Sequence, residues 1–461
     1  MPLESNPLVT VYIPSKNYGN YLEQAIESVL RQTYQEIQLL LIDDNSEDNS
    51  WQIIGNYVNN ENIIGVKTEG IGLPGIANLA LELSKGKYII RVDGDDLLHE
   101  YAISIMVESM IKKADDSFVF SDYYTIDPEN RIMSHEIRSK VNIEDHYQTI
   151  PPHGACTMWK TDVLRKAGGY RIDLGAQDGF DIWTRLKSEI TFHNINLPLF
   201  SYRQHSSNLT KNSEKILKAR RQIKRDFINE KLKTTSTVIA VIPCRKNYDY
   251  VPNLWSVDFD GKSLLYLAVE SCVNSELVSK IIITCDGENI LSEIAEMQMR
   301  FPTKEIHFFK RTTNSTINTI PITETLKEIS KEFDPDLEGI IILKYLQAPF
   351  VKSETIDEMI STIIYENSDS CTLVERINST VLKRSKFGLE VLSEPNIFNS
   401  TFDSIYRYSN LLLCLKSSNL KVGSLWGSKI AYLESAGLND IYIDSAEKYK
   451  IAIFLQRNHN L

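Results

Sequence analysis

The chain of 461 residues lacks the marks of several protein classes. No apolar run approaches the roughly 18 residues of a membrane-spanning helix, so we predict no membrane span. Acidic residues outnumber basic ones by 61 to 50, and the net charge of −11 gives no support to a broad nucleic-acid-binding surface. The first residues have neither the basic start nor the apolar stretch of a secretory signal. We therefore expect a cytoplasmic protein without a nucleic-acid partner.

Cysteine is scarce, and its spacing matches neither a CxxC pair nor a metal site. The six cysteines are Cys156, Cys244, Cys272, Cys285, Cys371 and Cys414. We expect all of them to be reduced and to lie in the protein core. The remaining composition is that of a globular protein, with 42 % hydrophobic and 24 % charged residues, which excludes a disordered chain. At about 150 residues per domain, the length predicts three domains or two large ones.

The chain begins the same strand, helix, strand pattern twice. The apolar runs Val9–Ile13 and Val238–Ile242 are each followed by a proline, as at the end of a buried parallel strand. After each comes a polar loop, an amphipathic helix and a second buried strand that ends at acidic residues, Asp43 and Asp44 in the first half and Asp286 in the second. We therefore predict an α/β protein with two Rossmann-like domains.

A segment rich in Lys and Arg lies between the two halves, with its apolar residues at helical spacing. Those apolar residues are Ile216, Leu217, Ile223, Phe227 and Ile228. Such a segment could bind anionic lipid, but it is more often a linking helix that docks through its apolar face. We favour the linker, and predict a first domain over residues 1–210, a helical linker over 211–235 and a second domain over 236–461.

Polar and acidic side chains follow three strands of the first half. Pro14, Ser15 and Asn17 follow the first strand, and Asp44 follows the second. These ends face one crevice in an open α/β sheet, where a carboxylate can accept a hydrogen bond from the N–H of a nucleotide base. The third strand runs into Asp93–Asp96, a cluster whose carboxylates repel one another unless a cation lies among them. Oxygen ligands suit Mg²⁺ or Mn²⁺, which would bridge to a diphosphate.

Two later residues have ordinary structural explanations when each is taken alone. Asp178 stands near the start of a predicted helix, where a carboxylate is most often a cap. His205 follows a strand-like segment, and a lone histidine is more often structural than a ligand. Neither residue by itself specifies a function.

Taken together, these motifs resemble the family 2 glycosyltransferases, which have the GT-A fold. The similarity covers about residues 8–212. It begins with the segment from Val9 to Ser50 and continues, in order and at matching spacing, through Asp93-Gly-Asp95-Asp96, Gly168-Gly-Tyr, Gln177-Asp178 and Tyr202-Arg-Gln-His205. A single acidic strand end is weak evidence, whereas four motifs in register are specific.

The resemblance implies metal-dependent transfer of a sugar, with inversion, from a nucleoside diphosphate to a saccharide or glycoconjugate. We favour a UDP-sugar as donor. The residues that would hold its base and ribose are Pro14, Ser15, Asn17, Asp44 and Asp93.

The resemblance also assigns the metal and the base. Asp95 would bind Mn²⁺ or Mg²⁺, and Asp178 would be the general base that deprotonates the acceptor hydroxyl. His205 matches a position that ligates the metal or touches the diphosphate, and a purely structural role for it stays open. Candidates for acceptor binding, each of which could equally fill a core, are Tyr123, Tyr124, His153 and Trp159.

Three positions depart from the family pattern. Lys16 replaces an aromatic residue, and Gln177 replaces a glutamate whose charge would raise the pKa of the neighbouring Asp178. Ile76–Asn78 stands where Ala-Arg-Asn is usual, so a cation near the donor is missing. These changes leave the catalytic carboxylates in place and the identity of the donor open.

The second half resembles the cytidylyltransferases that activate sialic acids and 3-deoxy-manno-octulosonate. The matching segments are Ile242-Pro-Cys-Arg245, Gly261-Lys-Ser-Leu264, Thr284-Cys-Asp286, Leu346-Gln-Ala-Pro349 and Ile443-Asp-Ser-Ala-Glu447. The loop Arg245–Asn253, however, has no glycine to let the backbone approach phosphates, and Val251–Pro252 stands where a second lysine is expected. We favour a non-catalytic domain that serves as a scaffold or dimerises. Nucleotide binding without turnover, and an active enzyme with a rearranged loop, stay open.

The sequence thus predicts a glycosyltransferase fused to a non-catalytic cytidylyltransferase-like domain. One alternative is a bifunctional glycosyltransferase and CMP-sugar synthetase, and another is a nucleotide-binding scaffold without activity. The carboxylates of Asp44, Asp95 and Asp178 argue against the scaffold. Because cytidylyltransferases of this type are commonly dimers, we expect any homodimer to form through the second half. A lipid-linked acceptor would be met by peripheral contact with a membrane surface.

Overall fold

The computed structural model describes residues 6–138, 154–175, 177–187, 189–205, 213–232, 237–245, 248, 251, 253–311, 321–377, 379–386, 388–393, 405–435 and 441–459. The chain divides into two compact units, Met1–Ile223 and Lys224–Leu461. Each unit has a sheet and a hydrophobic core of its own. The division falls inside the helix that occupies most of the predicted linker.

The described strands of the first unit are β1 (Val9–Ser15), β2 (Ile37–Asp43), β3 (Ile63–Lys67), β4 (Tyr88–Arg91), β5 (Leu97–Leu98), β6 (Phe118–Ile126), β7 (Ile132–Glu136), β8 (Met158–Lys160) and β9 (Phe192–Arg203). Its described helices are α1 (Leu22–Leu30), α2 (Ser50–Gly55), α3 (Gly72–Leu83), α4 (Ala102–Lys112), α5 (Thr161–Lys166) and α6 (Asp178–Leu186), and α7 (Ser213–Leu232) crosses the division.

The sheet of the first unit has the order β3-β2-β1-β4-β8-β6-β9-β5, and β7 pairs with β6. Strands β3, β2, β1 and β4 are parallel, and β8 joins β4 in the antiparallel direction. Every residue of β1 is buried, as expected for a parallel strand covered by helices on both faces. The carboxyl ends of β1, β2 and β4 therefore lie side by side at one edge, where the predicted site residues follow.

The described strands of the second unit are β10 (Val238–Pro243), β11 (Lys280–Cys285), β12 (Glu305–Lys310), β13 (Ile340–Lys344), β14 (Ser370–Arg376), β15 (Val381–Ser385), β16 (Gly388–Ser393), β17 (Tyr406–Lys416) and β18 (Ile430–Glu434). Its described helices are α8 (Leu264–Val273), α9 (Leu291–Arg300), α10 (Ile322–Phe333), α11 (Ser353–Tyr365) and α12 (Ala446–His459), with 3₁₀ turns at Leu254–Ser256 and Ser417–Val422.

The main sheet of the second unit has the order β12-β11-β10-β13-β17-β14-β18. Its first four strands are parallel, and β17 pairs with β13 in the antiparallel direction. Strands β15 and β16 form a separate antiparallel hairpin.

Both units are α/β with parallel strands at the centre of the sheet, and this confirms the predicted fold class. The two apolar runs that open the pattern are β1 and β10. In α7, the side chains of Ile223 and Ile228 are buried. All six cysteines are buried and unpaired. None of the helices described has the length and apolar character needed to cross a bilayer.

Candidate active site

A glycine brings two strand ends of the first unit into contact. Gly94 lies in the acidic turn after β4, and a Cβ at this position would be 3.0 Å from the carbonyl oxygen of Pro14 and 3.1 Å from the ring of Tyr18. The absent side chain lets the turn lie against the end of β1. Asp93 and Asp95, on either side of Gly94, are therefore held beside the strand end that the sequence assigned to the nucleotide.

Asp95 forms a buried pair with a histidine that is 110 residues further along the chain. Its Oδ2 lies 2.8 Å from Nε2 of His205, and both side chains are 5 % exposed. The imidazole lies between the rings of Tyr18 and Tyr21, at 6.1 and 5.1 Å between ring centres. Burial and the neighbouring Asp93 raise the pKa of Asp95, and His205 opposes that rise. The fold thus unites the two residues predicted as metal ligands.

Asp96 and Arg203 hold the acidic turn Asp93–Asp96 in place through two hydrogen bonds. Oδ1 of Asp96 accepts a hydrogen bond from the backbone N–H of Arg203 at 2.9 Å, and Nε of Arg203 donates to the carbonyl of Asp95 at 2.8 Å. Oδ2 of Asp96 is buried without a hydrogen-bond partner among the residues described. Burial, with Asp95 and Asp93, raises the pKa of Asp96 well above its ordinary range. Three carboxylates thus lie close together in this turn, and a bound cation would reduce their mutual repulsion.

A buried arginine joins Asp178 to this turn. Asp178 is the first residue of α6 and is 8 % exposed, after Gln177 in a left-handed conformation. Its Oδ2 lies 2.6 Å from Nη1 of Arg91, and Nε of the same guanidinium lies 2.9 Å from Oδ1 of Asp93. Burial alone would lower the pKa of Arg91, but Asp93 and Asp178 together hold it well above its ordinary value.

A small depression that is open to solvent lies beside Asp178. Its wall includes Phe118, Trp159, Tyr170, Asp178 and Trp183. Trp159 stacks on Phe118 with ring centres 4.1 Å apart and is 9 % exposed, so it packs in the core and reaches the pocket only at its edge. Of the other acceptor candidates, Tyr123 stacks on Phe200 and Tyr124 packs against His135, away from the residues of this wall. His153 lies outside the described residues.

Asp44 already makes several hydrogen bonds. Its Oδ1 accepts from Oγ1 of Thr68 and from the N–H of Ile71, both at 2.7 Å, and its Oδ2 accepts from the N–H of Gly72 at 3.1 Å. Lys16, one of the departures from the family pattern, approaches Oδ2 to 3.7 Å. The carboxylate therefore ties the end of β2 to the start of α3.

The other residues predicted to hold the base and ribose lie at the same edge. Asn17 has a left-handed backbone, with φ of 60°, and its Oδ1 accepts from the N–H of Glu47 at 2.8 Å. Ser15 is buried, and its hydroxyl has no hydrogen-bond partner among the described residues. Pro14 is the residue whose carbonyl Gly94 approaches.

Of the two remaining departures, Gln177 has a structural partner and Ala77 is buried, while Asn78, which matches the family, holds the backbone of Tyr170. Nε of Arg220 donates to Oε1 of Gln177 at 2.8 Å. Asn78 pairs twice with the backbone of Tyr170, through Nδ2 to the carbonyl at 2.8 Å and through Oδ1 from the N–H at 2.7 Å. The hydroxyl of Tyr170 is hydrogen-bonded to that of Tyr12, and burial raises the pKa of both phenols.

Sequence reasoning missed Arg91, Tyr12 and Tyr170, which surround Asp178. Arg91 did carry a signal, because it is the one charged residue in the apolar strand Tyr88–Arg91 and its side chain cannot be buried without a partner. Tyr170 belongs to the Gly168-Gly-Tyr motif, but the motif assigned it no role, and no pattern in the sequence points to Tyr12. Among the residues described, no group of three His, Cys, Asp or Glu side chains forms a ready-made metal cage.

The strand ends of the second unit carry two buried cations. Arg311 donates from Nη2 to the carbonyl of Cys244 at 2.9 Å, and burial lowers its pKa. Lys344, at the end of β13, is 1 % exposed and donates from Nζ to the carbonyl of Ala348 at 2.5 Å. Within the loop Arg245–Asn253, which departs from the family pattern, residues 246, 247, 249, 250 and 252 lie outside the described part of the chain.

The fold and the acidic strand ends define the first unit as an α/β domain built around a crevice at the carboxyl edge of its sheet. Residues 10–168 match the profile of glycosyl transferase family 2, and residues 239–434 match the profile of cytidylyltransferase. The chain therefore joins a family 2 glycosyltransferase domain to a cytidylyltransferase-family domain, as the motifs predicted.

Curated relatives align with the first domain. The chain is 35 % identical over 123 residues to glycosyltransferase GlyG of Streptococcus pneumoniae serotype 4, a match that covers 26 % of this chain and 40 % of that protein. It is 29 % identical over 214 residues to the UDP-Glc:alpha-D-GlcNAc-diphosphoundecaprenol beta-1,3-glucosyltransferase WfaP of Escherichia coli, covering 46 % of this chain and 82 % of that one. The chain thus spans less than half of the pneumococcal relative.

Among solved structures, S. aureus TarS has a TM-score of 0.40 and 18 % sequence identity, covering 48 % of this chain and 40 % of that one.

Proposed function

We propose that the first domain transfers a sugar, with inversion, from a nucleoside-diphosphate donor to a saccharide or glycoconjugate acceptor. The observation that carries this proposal is the pair of buried ionic contacts at Arg91. They hold Asp178, beside an aromatic-walled pocket, and Asp93, beside the crevice at the strand ends. A base and a donor-side carboxylate are thus held at a fixed separation, as a displacement at one carbon requires.

On the donor side, we assign the base and ribose to Pro14, Ser15, Asn17, Asp44 and Asp93. Asp44 would have to share or give up its bonds to the backbone before α3 to accept a base N–H. The buried hydroxyl of Ser15 has capacity for such a bond. The two functions of Asp44 therefore compete for the same oxygens.

Asp95 and His205 are the residues that would hold Mn²⁺ or Mg²⁺. One carboxylate oxygen and one imidazole nitrogen within 2.8 Å of each other are compatible with such an ion, whose other ligands would come from the diphosphate and water. The raised pKa values of Asp95 and Asp96 support this, because they report buried negative charge without enough compensation. The ion would neutralise the charge that develops on the departing nucleoside diphosphate.

Asp178 is the general base in this proposal. Its Oδ2 is held by Arg91, so we assign Oδ1 to the acceptor hydroxyl that enters from the pocket. As the hydroxyl oxygen attacks the anomeric carbon from the face opposite the diphosphate, its proton passes to the carboxylate. Because a single displacement inverts the carbon, no covalent sugar–enzyme intermediate is needed.

We favour a UDP-sugar as donor and a glycan on a lipid diphosphate as acceptor. The Escherichia coli relative that aligns over 214 residues carries both chemistries in its name. Such an acceptor lies at a membrane surface, so the protein would meet it by peripheral contact in the cytoplasm.

The second domain is non-catalytic in this proposal. Its support is the loop sequence, in which Arg245 and Lys246 remain but the glycine and the second lysine are absent. Two cations without a phosphate-cradling backbone stabilise a transferring group poorly.

We propose that the second domain forms a homodimer through the hairpin β15–β16. A two-stranded hairpin is marginal alone in water, and this one exposes Leu382, Leu389, Val391 and Leu392 by 52–69 %. A second copy would cover these side chains. Light scattering should give a dimer mass for the chain and a monomer mass for Leu389→Lys with Val391→Lys, whereas a monomeric parent contradicts the idea.

The experiment that tests the transferase is a thermal-shift screen of the whole chain with UDP, GDP, CDP, dTDP, CMP and CTP, each with and without Mn²⁺. Binding to the native state raises the melting temperature by mass action, so no acceptor is needed. We expect a Mn²⁺-dependent shift with UDP that Asp95→Ala removes and that the exposed control Asp115→Ala keeps. A shift with CMP or CTP alone would instead assign nucleotide binding to the second domain and contradict the proposal.

A further inference from the structure

The guanidinium of Arg91 contacts both Asp93 and Asp178. It is 7 % exposed and lies at the end of β4, two residues before the acidic turn. Gly154 leaves room for it, since a Cβ there would be 2.9 Å from Nη2 of Arg91. Tyr12 and Tyr170 are close enough to interact electrostatically with the same group. The arginine is therefore packed on several sides and has little freedom to move.

The geometry fixes the direction in which Asp178 points. Nη1 donates a hydrogen bond to Oδ2 of Asp178 at 2.6 Å, while Nε lies 2.9 Å from Oδ1 of Asp93 in an ion pair that lacks hydrogen-bond geometry. Because the guanidinium is rigid and planar, the position of one carboxylate sets the position of the other. A lysine would keep the positive charge, but a single ammonium cannot reproduce this fixed fork.

We propose that Arg91 is the positioning residue of this active site, which aims Oδ1 of Asp178 at the acceptor hydroxyl by holding the base in register with the donor-side carboxylate of Asp93. This rests on the proposed function, because it gives Asp178 the role of base. Arg91 touches neither sugar and takes no proton. Its effect on transfer passes through Asp178.

The test is a double-mutant cycle in the full-length protein, with transfer from the UDP-sugar found by the screen. Arg91→Lys should lower kcat about tenfold or more. A small displacement of the Asp178 carboxylate from the acceptor hydroxyl makes proton transfer inefficient. In an Asp178→Asn background, the same substitution should change kcat by less than about twofold, since no base remains to be aimed. Because Arg91 also contacts Asp93, which we assign to the ribose, Arg91→Lys should change the affinity for UDP by the same factor in both backgrounds.

Two further variants separate positioning from folding. Arg165→Lys is the control for the same exchange elsewhere, because Arg165 is 45 % exposed and donates to the carbonyls of Leu81 and Ser84, away from Asp178. Gly154→Ala presses on Nη2 of Arg91 without removing any charge, and should reproduce the loss of kcat if Arg91→Lys folds poorly.

The outcomes distinguish the positioning role of Arg91 from the proposed glycosyl transfer on which it rests. An active parent with Arg91→Lys within about twofold of it overturns the positioning role alone, and so does an equal loss with and without the Asp178 carboxylate. A parent that transfers no sugar to any acceptor overturns the proposed function, and the positioning role with it.

Discussion

The buried lysine at the end of β13 should make the second domain more stable as the pH rises. Burial lowers the pKa of Lys344 from its ordinary 10.5 to about 8, and the nearby Cys272 opposes this effect. Between these two values the unfolded chain binds more protons than the folded one, so unfolding free energy increases with pH. The cost of the buried charge is complete below pH 8 and disappears as the pH passes 10.5.

The lowering of the Lys344 pKa from 10.5 to about 8 means that the buried charge reduces the unfolding free energy by about 3.4 kcal/mol at neutral pH. At pH 9.5 about 1.4 kcal/mol of this cost should remain. Lys344→Met removes the whole cost but leaves the carbonyl of Ala348 without its donor, a loss of about 1–3 kcal/mol that does not depend on pH. The stability of the variant relative to the parent should therefore fall by about 2 kcal/mol between pH 7 and pH 9.5.

Pulsed thiol labelling in urea measures this in the second domain alone. Cys272 and Cys371 are buried there, so each becomes reactive when that domain unfolds, and the mass of their peptides counts the unfolded fraction. Lys331→Met, at an exposed position of α10, is the control and should show no such trend. A stability difference between Lys344→Met and the parent that is the same at both pH values would refute the reasoning.

Three further outcomes are expected. Asp178→Asn should reduce kcat by about 10²–10⁴-fold with little change in UDP affinity, because the base acts in the transition state, and near-normal turnover would disprove the assignment of the base. Gly94→Ala should lower the unfolding free energy of the first domain by about 1–3 kcal/mol, because the new methyl group meets the Pro14 carbonyl at 3.0 Å. Gly55→Ala, with nothing within 4 Å, should instead be neutral or stabilising, and urea-dependent labelling of Cys156, which is buried in the first domain, measures both variants. The whole chain with CTP, Mg²⁺ and a nonulosonic acid should release no pyrophosphate, and sustained release would restore the bifunctional alternative.

The sequence was sufficient to predict the opening strands of the two sheets, because a buried parallel strand has an unbroken run of apolar residues. Val9–Ile13 and Val238–Ile242 were predicted as strands, and they are β1 and β10. The family resemblance named Asp95 and His205 as candidate metal ligands without predicting a contact between them, and in the fold their side chains lie 2.8 Å apart. Their roles in catalysis stay predictions.

The sequence could not predict the contacts that depend on packing between distant segments. The bond between Arg91 and Asp178 joins residues 87 positions apart, and no local pattern encodes which buried carboxylate an arginine reaches. The bonds of Asp44 to the backbone before α3 were missed for the same reason, since the loop path of residues 68–72 decides them. The sequence also could not distinguish an aromatic residue of the core from one that binds a sugar. Trp159, a candidate for acceptor binding, stacks on Phe118 in the core.

Arg203 has a consequence for how the first domain can be divided. Its guanidinium is fully buried and donates to Gln24 in α1, to Asp95 in the acidic turn and to Asn130 after β6. The family match ends at residue 168, so Arg203, Asp178 and His205 all lie beyond it. A fragment cut at that boundary would keep every carboxylate of the acidic turn and lose the clamp that shapes it. Residues 169–205 therefore belong to the same structural unit as the acidic turn.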